Sequence, residues 1–409
     1  MAETPKPKRW QEALHERVRY LSLRDFAHKQ LFKRLPPQTG WVHVFGSVAL
    51  LMFVSQFVTG ILLLLYYRPT LKEAHESIQY ITGDVPFGWL FRQIHAWGAT
   101  LMMVAVLLHM IRTYFMGSFK RPRELTWVIG VLLFLLTMFF GFTGYLLPWN
   151  QLSYWATTVG TEVVGAVPMI GDDLKQVVLG APAVGQETLS RFFVVHVAIL
   201  PWVLVLLVVL HLVLMRLHNL ATLEDVGGEK PYPPETGVPF WPVHMAKEAC
   251  VAAVCFGVLL TLSVLWPWEI GEPADPLQTP HGIKPEWYFL PTYQLLKYFT
   301  GPMGKPLGIL ISGVPFLLLM FWPFLERGRA RHPRKRPWPR RIGITAIVLA
   351  IFLGILGHLS ENTYRFAGFA LEFDNFGRPH LRSDAPAPGE SPAPPPKTAT
   401  THTATRQPS

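Results

Sequence analysis

Four histidines stand inside segments that otherwise hold almost nothing but apolar side chains. His95 and His109 lie fourteen residues apart in "RQIHAWGATLMMVAVLLHMIR", with Arg92 and Arg112 just outside them. His196 and His211 lie fifteen apart in "RFFVVHVAILPWVLVLLVVLHLVLMR", bracketed by Arg191 and Arg216. Fourteen helical residues turn through about 1400°, so His109 returns to within about 40° of His95 and stands about 21 Å further along the axis. On the same count His211 falls roughly 60° out of phase with His196. An imidazole in hydrocarbon needs partners for its ring nitrogens, and a hydrogen bond to a neighbouring helix is the ordinary supply. Two pairs at matching depths allow another chemistry. His95 facing His196, and His109 facing His211, would each grip a planar iron cofactor through both axial positions, which is bis-histidine ligation of a b-type haem. A tetrahedral zinc site would need its ligands clustered instead of spread over two levels.

Glycines repeat the same step. Gly46 and Gly60 are fourteen apart, and so are Gly130 and Gly144. A missing side chain lets a flat macrocycle approach a helix backbone, although close packing of membrane helices uses small residues in the same way. Arg92 and Arg112 are placed to neutralise haem propionates or to extend toward the membrane interface.

The elements that position these residues follow from composition. Half of the 409 residues are hydrophobic and 16% are charged, and runs such as "GSVALLMFVSQFVTGILLLLYY" are long enough to cross a ~30 Å hydrocarbon core. The fold class is therefore all-α, a polytopic transmembrane helical protein. Spans are predicted near 46–66, 96–115, 126–147, 192–215, 247–266, 308–325 and 342–359. The first four form a haem-binding four-helix bundle, and three further helices follow.

The predicted organisation is an interfacial amphipathic arm (1–35, helical over 8–35), the di-haem domain (36–216), a polar connecting loop (217–246), a three-helix domain (247–360) and a disordered Pro/Ala/Thr-rich tail (361–409). No cleavable leader is expected. Cys250 and Cys255 read as packing residues. Loops expected on the N-terminal side hold 24 Lys and Arg against eight opposite, which places the N-terminus inside and the C-terminal tail outside by the positive-inside rule. The net charge of +10 thus marks topology, and no nucleic-acid partner is expected.

Taken alone, the histidines also fit a di-haem membrane anchor of a quinone-linked dehydrogenase, or a histidine-lined metal or ion transporter. Further motifs narrow the field. Over about residues 30–360 the chain resembles cytochrome b of the quinol-oxidising bc1 and b6f complexes. The marks are the two histidine pairs, the paired glycines, "YYRPT", "FKRPRELTWVIG", "GYLLPWNQLSYWA" and above all "PEWY" at 285–288. The fifteen-residue histidine step, "GEPADPLQTP" and about seven spans resemble the plastid-type form, whose two halves are separate chains. That form tethers an additional haem through a cysteine where this chain has Val44, so no covalent haem is expected.

The resemblance implies bifurcated quinol oxidation at the outer face, with one electron passing to a Rieske iron–sulfur protein and the other crossing the membrane. That second electron travels from the haem at His95 and His196 to the haem at His109 and His211, then reduces a quinone at the inner face, with coupled proton translocation. Partners implied are a c-type cytochrome or similar acceptor, the membrane quinone pool and a second copy of the chain, in a membrane expected to be bacterial and cytoplasmic. Glu286, flanked by Pro285, Trp287 and Tyr288, is the candidate proton acceptor from quinol, a partly desolvated carboxylate being suited to that task. A simpler role for it is to cap the helix that follows. Tyr154 and Trp155 would wall the same pocket. Arg216 stands where the family has a basic residue near the inner quinone, and His218 and Lys33 are candidate proton donors there.

Overall fold

The computed structural model describes Asp25, His28 and residues 31–221, 236–301, 303–366 and 369–383. Most of the predicted interfacial arm, part of the connecting loop and the Pro/Ala/Thr tail lie outside these residues. Seven helices are long and apolar enough to cross a membrane: Phe45–Leu64, Gly88–Phe115, Glu124–Tyr145, Gln186–His218, Phe240–Leu265, Gly304–Leu325 and Pro337–Leu359. The second, fourth and fifth begin earlier than hydropathy places them. Arg92, Glu187 and Arg191 sit near the starts of the second and fourth, and Pro239 and Pro242 with His244 near that of the fifth, so the apolar run starts after the helix does. Leu206, Val254 and Leu349 are exposed on the surface of the chain, as a lipid-facing surface requires. Cys255 packs against the core shared by the first, second and fifth spans, whereas Cys250 is exposed.

The first span lies along the second, the third along the fourth, and the fifth and sixth rest against the second and third. Val48, Met52, Ile94, Met102, Ala105 and Leu259 form the central core. Tyr114, Phe119, Trp127 and Val131 close one end of the molecule, and Leu146, Trp149, Tyr154, Leu189 and Phe192 close the other.

The fourth span is not one α-helix. Gln186–Val194 is α-helical, Val195–Ile199 is a π-turn in which Leu200 N–H donates to the Val195 carbonyl, and Leu200–His218 resumes the α-helix. Pro201 has no N–H to continue the α-pattern, and a π-turn accommodates one extra residue. This corrects the 60° phase error expected of the fifteen-residue step: the surplus residue is taken up beside His196, and His211 returns to register.

Polar contacts gather the loops into two ends. At the His109 end, strand β1 (Arg34–Leu35) pairs antiparallel with β2 (Val238–Pro239), where the amphipathic pattern had predicted continuing helix. Here Arg123 donates to the His218 and Asn219 carbonyls, and Lys120 to that of Gly328. At the His95 end, Asn150 donates to the Ile270 carbonyl and His75 to that of Gly271. The basic loops thus share one end.

Order also continues past 361, where the tail was expected to begin. Strands β3 (Thr363–Phe366), β4 (Phe369–Phe373) and β5 (Pro379–Ser383) form an antiparallel sheet. The stretch is rich in aromatic and branched residues before the composition turns to Pro and Ala, which is strand chemistry in a run too short to register as an apolar period. Phe376 docks it: its ring stacks on Tyr298, and its carbonyl accepts from Gln294 at 2.9 Å.

Candidate functional site

The structure brings the four histidines together as two pairs. The rings of His95 and His196 face each other with centroids 6.4 Å apart and planes at 75°; His109 and His211 repeat this at 6.4 Å and 73°. The four glycines stand behind the rings. A Cβ at Gly46 would lie 3.1 Å from His109 Cε1, and one at Gly144 would lie 2.5 Å from His196 Cε1. At Gly60 and Gly130 the corresponding contacts with His95 and His211 would be 3.4 Å. What the glycines clear first is therefore space for the imidazoles, with the first and third spans serving as backing plates.

This arrangement fits haem. Two metal–imidazole bonds of ~2 Å, plus ~1 Å from each nitrogen to its ring centre, put centroids about 6 Å apart, which is the spacing seen in both pairs. At one end the far nitrogens are braced. Thr59 Oγ1 lies 2.9 Å from His95 Nδ1, and Thr143 Oγ1 lies 3.1 Å from His196 Nδ1. Bracing at Nδ1 leaves Nε2 of each ring for a ligand. Among the described residues no cluster of three or more His, Cys, Asp or Glu side chains has metal-holding geometry, so the pairs stand alone as ligand sets. Arg92 is turned elsewhere: both of its terminal nitrogens donate to the Trp268 carbonyl, at 3.0 and 2.7 Å. Arg112 is an electrostatic neighbour of His109, and its buried Nε has no hydrogen-bond partner among the described residues.

Glu286 lies in the turn before the helix Leu290–Lys297 and does not cap it. That helix has no side-chain cap, and only the backbone carbonyl of Glu286 is used, accepting from Phe289 N–H at 2.8 Å. Burial pushes its carboxyl above the usual carboxylate range. Tyr145 and Tyr288 are its electrostatic neighbours, and burial, then Glu286, raises the Tyr288 hydroxyl. Tyr288 is seated by a glycine that the fourteen-residue pattern does not mark: its hydroxyl occupies the place a Cβ would take at Gly141, one helical turn before Gly144 and His196. Tyr154 is buried, and Trp155 packs beside it and donates to Gln151 Oε1 at 3.1 Å. Phe142 links these two to the turn, packing on the Tyr154 cluster and edge-on to Phe289. Trp287 is more exposed, 5.5 Å from the Tyr288 ring, and Pro285 is half-buried.

At the other end Arg112 lines a cavity of about 70 Å³ together with His43, Gln38 and Ser118. His43 was not singled out by the sequence, since it precedes the apolar run. Burial, and then the Arg112 charge, lowers its pKa to about 4, so the ring is neutral at neutral pH. His244 neighbours His43 electrostatically and lies 3.4 Å from Glu248 Oε1, which also accepts from Ser47 Oγ at 2.6 Å. The signal for this dyad was "HMAKE", a histidine and a carboxylate four apart at a span's first turn. Arg216 is within electrostatic reach of Glu248. His218 offers its carbonyl to Arg123 and keeps a buried Nδ1 without a hydrogen-bond partner. Lys33 lies over the Phe240 ring, 5.0 Å from its centre.

Comparison with known proteins follows the same division. Residues 32–219 match the family model described as cytochrome b/b6/petB, and residues 273–372 match that of the cytochrome b C-terminal/b6/petD part. A cytochrome bc complex cytochrome b subunit of Chlorobaculum thiosulfatiphilum is 44% identical over 324 residues, covering 79% of this chain and 73% of that protein. Cytochrome b6 of Gloeobacter violaceus is 46% identical over 189 residues, 46% of this chain and 88% of the relative. A solved structure described as a hyperthermophilic respiratory complex III superposes with a TM-score of 0.78 at 33% identity, over 86% of this chain and 92% of that one.

Proposed function

The chain belongs to the cytochrome b/b6 family, the haem-binding membrane subunits of quinol–cytochrome c oxidoreductases, and from that premise we propose that it oxidises quinol at its Glu286 end and reduces quinone at the other. His95 with His196, and His109 with His211, are the residues that would hold two non-covalent b haems. Each haem, when bound, supplies a one-electron redox centre.

The remaining chemistry belongs to the chain's own groups. Quinol must lose two protons as it loses two electrons, and Glu286 is the acceptor of one of them. A desolvated carboxylate has a pKa near enough to neutral to take a proton and give it up again. Tyr288, held against Gly141, keeps the carboxylate's surroundings protonated and dry, while Tyr154 and Trp155 wall the pocket from the first half of the chain. At the opposite end a quinone accepting electrons must gain protons. Arg112 supplies fixed positive charge, and neutral His43 and the Ser47–Glu248–His244 hydrogen-bond network are the polar groups that would relay protons to the quinone. Arg216 places a second positive charge within reach of Glu248.

The Glu286 end would face outside and the basic loops inside, with the N-terminus inside and the described C-terminal sheet outside. A bacterial cytoplasmic membrane, a Rieske protein, a c-type cytochrome or similar acceptor and a second copy of the chain complete the proposed assembly. The division into arm, di-haem domain, loop and three-helix domain stands with it, the last extended to include the sheet. A match in the second half disfavours the di-haem anchor and transporter readings, which leave "PEWY" and the last three spans unexplained.

The observation that carries the reading is the equal 6.4 Å separation of two histidine pairs at opposite ends of one bundle. The experiment is a reduced-minus-oxidised optical spectrum of the purified complex, with His95→Ala and His211→Ala beside it. Two b-type signals are expected in the parent and one in each variant; a pigment unchanged by either substitution overturns the assignment.

A further inference from the structure

The two pairs are alike in separation and unlike in what holds the far nitrogen of each ring. Thr59 Oγ1 donates its hydrogen to the Ser55 carbonyl at 2.7 Å, and Thr143 Oγ1 donates to the Phe139 carbonyl at 3.0 Å. A hydroxyl has one hydrogen to give. With that hydrogen committed along the helix, each oxygen meets its histidine as an acceptor, so His95 and His196 carry their protons on Nδ1. Backbone carbonyls also stand beside His95, His196 and His211, those of Gln56, Phe140 and Thr126. Among the described residues, hydroxyls bonded to a ring nitrogen are found at the His95–His196 pair and not at the other.

Sequence explains why only one end has them. Thr59 and Thr143, which meet the imidazoles at one end, each directly precede a backing glycine, and at the other end the residues in that sequence position are Phe45 and Ile129, which have no hydroxyl. Among the described residues no side-chain hydroxyl is bonded to His211, and the nearby Thr126 hydroxyl has no hydrogen-bond partner at all.

A hydrogen bond accepted from Nδ1–H makes an imidazole a stronger electron donor through Nε2, which favours ferric over ferrous iron at that site. We propose that Thr59 and Thr143 are positioning residues that hold the reduction potential of the His95–His196 site below that of the His109–His211 site. Transfer of one electron from the first site to the second, oxidising one iron and reducing the other with no bond or proton exchanged, then runs downhill and away from the quinol. This rests on the reading above that each pair holds a haem.

The test is an optically monitored redox titration of the purified complex carrying Thr59→Val, Thr143→Val or both. In the double variant the ratio of oxidised to reduced haem at the His95–His196 site should fall about tenfold at fixed ambient potential, a rise of about 59 mV for a one-electron couple, with the other midpoint unmoved. Thr59→Ser with Thr143→Ser should restore the parent value, because the hydroxyl returns without the methyl. Alanine at the same positions covers the case in which valine crowds the ring and haem is lost. Retained haem with an unmoved midpoint, or two midpoints moving together, overturns the proposal. A parent complex with fewer than two b haems would overturn instead the reading beneath it.

Discussion

Among the described residues no cation or hydrogen-bond donor holds the partly buried Glu286 carboxylate, and burial raises its pKa. Because the ionised form is the proton acceptor, quinol oxidation should fall as acid protonates it, with a midpoint above the usual carboxylate range. Glu286→Gln should lower the rate by about 10²-fold or more and remove that acid limb while the haem spectrum stays unchanged; a retained limb in steady-state assays would assign it to another group. The glycines separate by distance. Gly144→Ala presses a methyl on His196, which Thr143 holds from the side, so haem content per protein should drop by half. Gly130→Ala makes only an ordinary contact at 3.4 Å and should keep both haems. Residues such as His95 and His211 were legible because a polar group in an apolar run is costly unless used, and Glu286 through the motif "PEWY". Thr59, Thr143 and Gly141 were not, since each is an unremarkable membrane-helix residue until its neighbour is known. Ser47, His43 and Glu248 sit where spans begin and polarity is ordinary.

Helices were legible from composition to within a few residues at most ends, because hydrocarbon thickness sets their length. What the pattern concealed was a change of helix type. Counted at a uniform pitch, fifteen residues leave His211 turned from His196, yet the π-turn at Val195–Ile199 cancels the surplus. Deleting Ala198 should therefore convert the span to a regular helix with a fourteen-residue step, and both b haems should remain. Deleting Val205 removes a residue where no surplus exists; it rotates His211 by about 100° relative to His196, and the second haem should be lost. Haem quantification with optical spectra distinguishes the two deletions, and equal losses would show that the π-turn does not carry the register. The sheet β3–β5 escaped for the opposite reason: its strands are short and sit at the chain's polar margin, where alternation is too brief to stand out from loop.

Between the two halves of the chain the tie at the basic end is ionic and buried. Glu326 lies between Lys120, at 2.7 Å, and Arg336, at 2.5 Å, and Arg336 also donates to the carbonyls of Tyr114 and Phe115 at the end of the second span. Burial acts to raise the Glu326 pKa, but the hydrogen bonds and charges of Arg336 and Lys120 outweigh it, and the net shift is downward. A depressed carboxylate contributes stability that is present above its unfolded value and lost as pH falls through the folded one, so the tie should loosen only in acid below the ordinary carboxylate range. Glu326→Gln leaves two buried cations without their anion, a loss of about 3–5 kcal/mol, and should lower the thermal midpoint at neutral pH while flattening that acid dependence. With Asn150–Ile270 and His75–Gly271 fastening the opposite end, the halves are joined through space as well as through residues 217–246. A chain divided between Gly227 and Gly228 should accordingly reassemble on co-expression, a tag on one fragment recovering the other with both haems bound. The same pair carrying Glu326→Gln should come apart at lower detergent or temperature. Recovery of the tagged fragment alone from the unmutated pair would mean that the covalent connection, rather than the buried ion cluster and the opposite stitches, keeps the halves together.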